Sequence, residues 1–117
     1  MNEKALRLRY VRALEKFINS HISYLRSNDF DMEILKKKVA KTYEILAKVQ
    51  AVRLDSPYTF ALECYANSII HILNMQQIDA LHVRDELIKG ANLLQKEKNK
   101  NRYKKDKHSK ASFNDGY

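Results

Sequence analysis

Asp79, His82, Asp85 and Glu86 place three carboxylates and an imidazole within eight consecutive residues. On one helix that spacing puts them on adjoining turns, a geometry that can hold a divalent cation once other helices add ligands. The available inward partners are Glu63 and His71, and neither forms the Glu-x-x-His pattern of carboxylate bundles. Asp79 is therefore read as a helix cap, and Asp85 and Glu86 as favourable charge near a helix N-terminus. No metal ligand and no cofactor is expected. His21 and His71 sit within apolar stripes, and no Asp or Glu stands three or four positions from His21 to orient its ring. Both read as core or boundary residues. Cys64 is the single cysteine, set among apolar neighbours with nothing nearby in sequence to lower its pKa. It cannot form an internal disulfide, which suits a reducing compartment. The chain also lacks a phosphate-cradling Gly loop, a Ser nucleophile in a turn motif and paired cysteines. No catalytic residue is assigned and no enzyme is expected.

Cationic side chains are the other group with chemistry to offer. The formal net charge is +8, but residues 96–110 hold seven Lys and one Arg against one Glu and one Asp, a net of +6. Residues 1–95 are close to balance, with 14 basic and 11 acidic side chains. Clustered cations attract polyanions by neutralising phosphates and releasing counterions. Lys98, Lys100, Arg102, Lys104, Lys105 and Lys107, with Tyr103 able to stack on a base, thus form a candidate nucleic-acid contact. Arg9, Arg12 and Lys16 share one helical face at three-and-four spacing and could extend it, whereas Lys4 and Arg7 lie round from that face. The competing role for both clusters is an ordinary solvated surface. No helix-turn-helix signature accompanies them.

The elements that must position these residues are helical. The 117 residues include two Gly and one Pro, too little punctuation for hairpins between short strands. Leu8, Val11, Leu14, Ile18, Ile22 and Leu25 repeat at three-and-four spacing and predict a first helix over Asn2–Arg26. Tyr10, Phe17, His21 and Tyr24 form a second stripe beside them, wide enough to touch at least two other helices. After Ser27-Asn28-Asp29, with Asp29 or Asp31 as cap, a second helix is predicted over Phe30–Arg53, with Met32, Leu35, Val39, Tyr43, Leu46 and Val49 inward. Asp55-Ser56-Pro57 predicts the start of a third helix, over Pro57–Ile78, in which Glu63 is the one formal charge. Asp79 opens a fourth, whose inward stripe is Leu81, Leu87, Ile88, Ala91 and Leu94. Gly90 inside it signals close helix packing or a weak point.

The expected fold is thus all-α: a small antiparallel four-helix bundle over residues 1–96, with a disordered, lysine-rich C-terminal tail over 97–117. No apolar run approaches the ~18 residues of a membrane span, and the N-terminus has no secretory h-region. A soluble, cytoplasmic protein is expected. In size and helical character the chain is similar to export chaperones, bacteriocin immunity proteins and small phage-encoded inhibitors, although it shares no motif with any of them. The spacing of Arg102 and His108 is loosely similar to the Arg and His pair of helical ribonuclease toxins, but both lie in the expected tail. Seven tyrosines and a nearly uncharged third helix favour a protein–protein interaction module, a small adaptor, chaperone or inhibitor, with a homodimer expected. Tyr10, Phe17, Tyr24 and Tyr58 are its candidate interface. The alternative is a nucleic-acid-binding accessory protein that uses the tail and the first-helix cations.

Overall fold

The computed structural model describes residues 2–76 and 78–109, with residues 101–109 described as helical backbone. Among the described residues it contains four α-helices and no strand: α1 (Glu3–Leu25), α2 (Met32–Leu46), α3 (Pro57–His71) and α4 (Ala80–Ser109), with a 3₁₀ turn at Ile72–Asn74. None of these helices is long and apolar enough to cross a membrane.

Each helix begins where a side chain can satisfy its free amides. Asn2 Oδ1 accepts from Ala5 N at 2.8 Å, Asp31 Oδ1 from Glu33 N at 2.9 Å, and Asp79 Oδ1 from His82 N at 3.2 Å. Ser56 and Thr59 form a reciprocal capping box around Pro57 at the first turn of α3. Caps of this kind contribute about 1 kcal/mol each.

α1 and α3 form the centre, α2 packs chiefly on α1, and α4 chiefly on α3. Cross-helix bonds fix their directions. Tyr10 and Tyr58 donate to Glu63 and Glu15, so α1 and α3 run antiparallel. His21 meets Thr42 while Lys38 lies over the Tyr24 ring, so α1 and α2 do too. Leu14 and Ile18 of α1, Leu35 and Val39 of α2, Leu62 and Ile69 of α3, and Leu87 and Leu94 of α4 belong to one buried core.

Several expectations need correction. α2 ends at Leu46 rather than Arg53, closing in short turns from Lys48 N to Ile45 O and from Val49 N to Leu46 O. The chain then runs without helix to Ser56 and buries Leu54 at 2% exposure. α3 gives way at Ile72 to the 3₁₀ turn, and Lys36 of α2 donates to the Met75 carbonyl at 3.2 Å. Leu8, Tyr43 and Leu81, all expected inward, are 50%, 40% and 68% exposed. In α1 the core follows the stripe of Tyr10, Leu14, Phe17, Ile18 and His21, because α2 and α3 approach that side. α4 is described as helix through Ser109. The part of the expected tail at residues 110–117 lies outside the described residues.

Gly90 resolves as close packing. A Cβ built there would fall 2.7 Å from Tyr65 Cε1 and 2.9 Å from Cδ1, nearer than real contacts allow. The Tyr65 ring cannot easily retreat, since its hydroxyl donates to the Leu87 carbonyl at 2.6 Å.

Candidate functional site

α1 is eight residues longer than α2, about 12 Å of helix at 1.5 Å per residue. The shorter partner leaves the flank of α1 between Arg9 and Ser20 incompletely covered. The result is an open trough of about 360 Å³ between the two helices. Its floor is apolar, built from Ala13 and Phe17 of α1, Leu46 at the end of α2 and Val49 just beyond it. Ile45 lines the α2 side of the trough and is 61% exposed.

The near wall is cationic. Arg9, Arg12 and Lys16 all line the trough and all are exposed, as their shared helical face predicts. Among the described residues no carboxylate comes within 4.0 Å of any of the three. Arg7, which lies round from them, is instead drawn to Glu3 at 3.7 Å and Asp55 at 3.9 Å. Glu15, the acid beside Lys16 in sequence, turns the other way and accepts from the Tyr58 hydroxyl. α1 thus separates part of its charge: Glu15 binds Tyr58 of α3, while Arg9, Arg12 and Lys16 line the trough toward α2.

Behind Phe17 and Thr42, which line the trough, lies His21, 1% exposed. Its Nε2 is 2.7 Å from Thr42 Oγ1. Thr42 Oγ1 also lies 3.0 and 3.2 Å from the Lys38 and Val39 carbonyls. His21 Nδ1 is buried with no partner. Protonating it would bury a charge without an acceptor. Burial, and secondarily the Lys38 ammonium, accordingly hold the His21 pKa down at about 4 against an ordinary 6.5.

The four aromatic interface candidates are largely occupied within the chain. Tyr10 is buried, and its hydroxyl donates to Glu63 at 2.6 Å, which together with burial pushes its pKa up to about 12. Phe17 is 4% exposed and forms part of the trough floor. Tyr24 packs on Phe30 and accepts from Asp31 N at 2.9 Å. Tyr58 is half-buried and bound to Glu15, with its pKa raised by burial first and by that carboxylate second.

Lys98 lines a separate cleft with Glu15 and Tyr58. Lys100 sits 4.0 Å from Glu97. Arg102, Tyr103, Lys104, Lys105 and Lys107 fall on the helical backbone of α4, with side chains outside the described residues.

A second cleft, about 510 Å³, opens between α3 and α4. Cys64, Ser68 and Leu93 line it, and Lys96, Glu97 and Lys100 give it mixed charge. The acidic group that opened the sequence reading serves local ends: Asp79 caps α4, and His82 approaches Glu86 at 4.0 Å on the exposed surface. Among the described residues no group of three or more His, Cys, Asp or Glu is arranged to hold a metal ion.

Sequence reasoning missed Arg84. Its Nε and Nη2 donate to the carbonyls of Leu25 and Ser27 at 2.6 and 2.9 Å, closing the C-terminal end of α1, and its guanidinium lies 5.1 Å from the Phe30 ring centre. Nothing in the local pattern of α4 distinguishes it from a solvated arginine. No family model, curated protein or solved structure matches the chain.

Proposed function

We propose that the chain is a non-enzymatic protein-interaction module, a small helical adaptor, chaperone or inhibitor, that engages its partner through the trough between α1 and α2. The observation that carries this reading is Ile45, 61% exposed on the wall of an apolar-floored trough. Grooves of this kind take the apolar face of a helix, and a single charge in the contact is enough to disrupt it. The test is a pulldown from nuclease-treated cell extract with the intact protein and with Ile45→Glu. Loss of a captured protein on substitution is expected. Identical capture by both would overturn the assignment of the trough.

Self-association belongs to the same reading but to a different surface. The outward face of α3, which includes Phe60, Cys64, Asn67, Ser68 and His71, is exposed and carries no formal charge, and the adjoining cleft mixes Lys96 and Lys100 with Glu97. A second copy meets no like-charge barrier there. Light scattering should give a dimer that Phe60→Glu dissociates; a strict monomer removes this part of the proposal.

The second reading, nucleic-acid binding, is favoured by Arg9, Arg12 and Lys16 having no carboxylate within reach among the described residues and by the net +6 over residues 96–110. It requires binding that weakens steeply with salt and disappears on truncation after residue 96. Labelled DNA and RNA left unshifted at low salt would eliminate it.

A further inference from the structure

We propose that the occupant of the trough is an amphipathic helix with acidic flanks, contributed by a protein partner. This rests on the reading of the trough as a docking site and specifies what it selects. The trough follows α1 from Arg9 to Ser20, about 16 Å at 1.5 Å per residue, which is about three helical turns. A guest helix of that length presents side chains at i, i+3 or i+4, and i+7 to a floor of Ala13, Phe17, Leu46 and Val49. Its flanking positions on the α1 side then face Arg9, Arg12 and Lys16. Glu or Asp at those positions meets cations there.

Charge also argues against the other occupants. The chain's own C-terminal segment is basic, net +6 over residues 96–110, and is repelled from a cationic rim. A second copy docked by the same face sets Arg9, Arg12 and Lys16 against their own equivalents. Nucleic acid satisfies the cations but not the floor. Phe17 is the one aromatic there and is 4% exposed, so it offers a base no ring face to stack on, and Ile45 and Val49 would lie against sugar and phosphate.

The experiment uses the full chain and three synthetic helical peptides of about five turns. All share one leucine stripe and carry Glu, Gln or Lys at the flanking positions. Binding is measured by fluorescence anisotropy at low and moderate salt, with the intact protein, Ile45→Glu and the double variant Arg9→Glu/Arg12→Glu. Circular dichroism verifies the fold of each variant; all three positions are exposed. The Glu peptide should bind at least about tenfold more tightly than the Lys peptide and weaken as salt is added. Arg9→Glu/Arg12→Glu should reverse that order, and Ile45→Glu should weaken all three peptides. Equal binding of the three, still sensitive to Ile45→Glu, overturns the acidic preference and leaves the docking site standing. No binding, or binding indifferent to Ile45→Glu, overturns both. A labelled single-stranded oligonucleotide that binds and is lost in Arg9→Glu/Arg12→Glu, while the Glu peptide does not bind, overturns the proposal in favour of nucleic acid.

Discussion

Two clefts of this molecule, one between α1 and α2 and one between α3 and α4, lie over helices that meet in opposite ways. Between α3 and α4 the helices approach so closely that position 90 has no room for a methyl group against the Tyr65 ring. Between α1 and α2 the shorter helix stops at Leu46 and leaves Ile45 in water above an apolar floor. Both clefts keep a large aliphatic side chain in water, Ile45 at 61% and Leu93 at 65% exposure, so they differ in helix approach and in charge. The charges follow the same division, since the α3–α4 cleft mixes signs whereas Arg9, Arg12 and Lys16 give the trough only one. Exposed apolar surface beside unpaired charge contributes little to stability, so the trough is the region where substitution should alter binding without altering the fold.

The largest effect expected from this contrast is a pH effect. His21, buried against Phe17 and Thr42, has a pKa of about 4 in place of 6.5. Between those values the unfolded chain takes up a proton that the folded chain refuses, so stability is level above about pH 6.5 and falls as the pH drops toward 4. The depression corresponds to a loss of roughly 3 kcal/mol. Urea melts at pH 7 and pH 4.5 check it against His21→Leu, which should flatten the slope. Thr42 keeps its bonds to the Lys38 and Val39 carbonyls in that variant. An unchanged slope would show that His21 is not the group responsible.

Gly90→Ala tests the close side of the comparison. In an open helix this substitution stabilises by about 1 kcal/mol; here the clash with Tyr65 should reverse the sign and destabilise by about 2 kcal/mol. A raised Tm would mean the α3–α4 contact is looser than described. Arg84→Lys keeps the charge but loses the paired donors to the Leu25 and Ser27 carbonyls, for an expected cost of about 1 kcal/mol in thermal or denaturant melts. At the small end, Ile45→Glu should change unfolding free energy by no more than about 0.5 kcal/mol, as for exposed positions generally. A large loss there would place Ile45 in the core and remove the trough from the comparison.

Much of this was legible in the chain. The helix starts were readable because capping is local: Asn2, Asp31, Ser56 with Pro57, and Asp79 each lie within three residues of the amide they serve. The cationic face of Arg9, Arg12 and Lys16 was readable for the same reason, as spacing along one helix. Its apolar floor was not, because Leu46 and Val49 come from a segment whose helical limit no Gly or Pro marks. The acid cluster at 79–86 misled in the opposite sense, since spacing on one helix says nothing of what faces it.

The sequence by itself determined the helical class, the four starts and the position of the charges. Periodicity, capping and composition act over a few residues and need no partner. The tertiary structure decided where α2 ends, which stripe of α1 faces inward, that Arg84 closes α1 from 59 residues away in sequence, and that a trough exists at all. Each of these depends on which helix lies opposite, and burial of Leu54 at 2% exposure shows the reason: the chain leaves its helical pattern once the core offers more apolar contact than another turn of helix would.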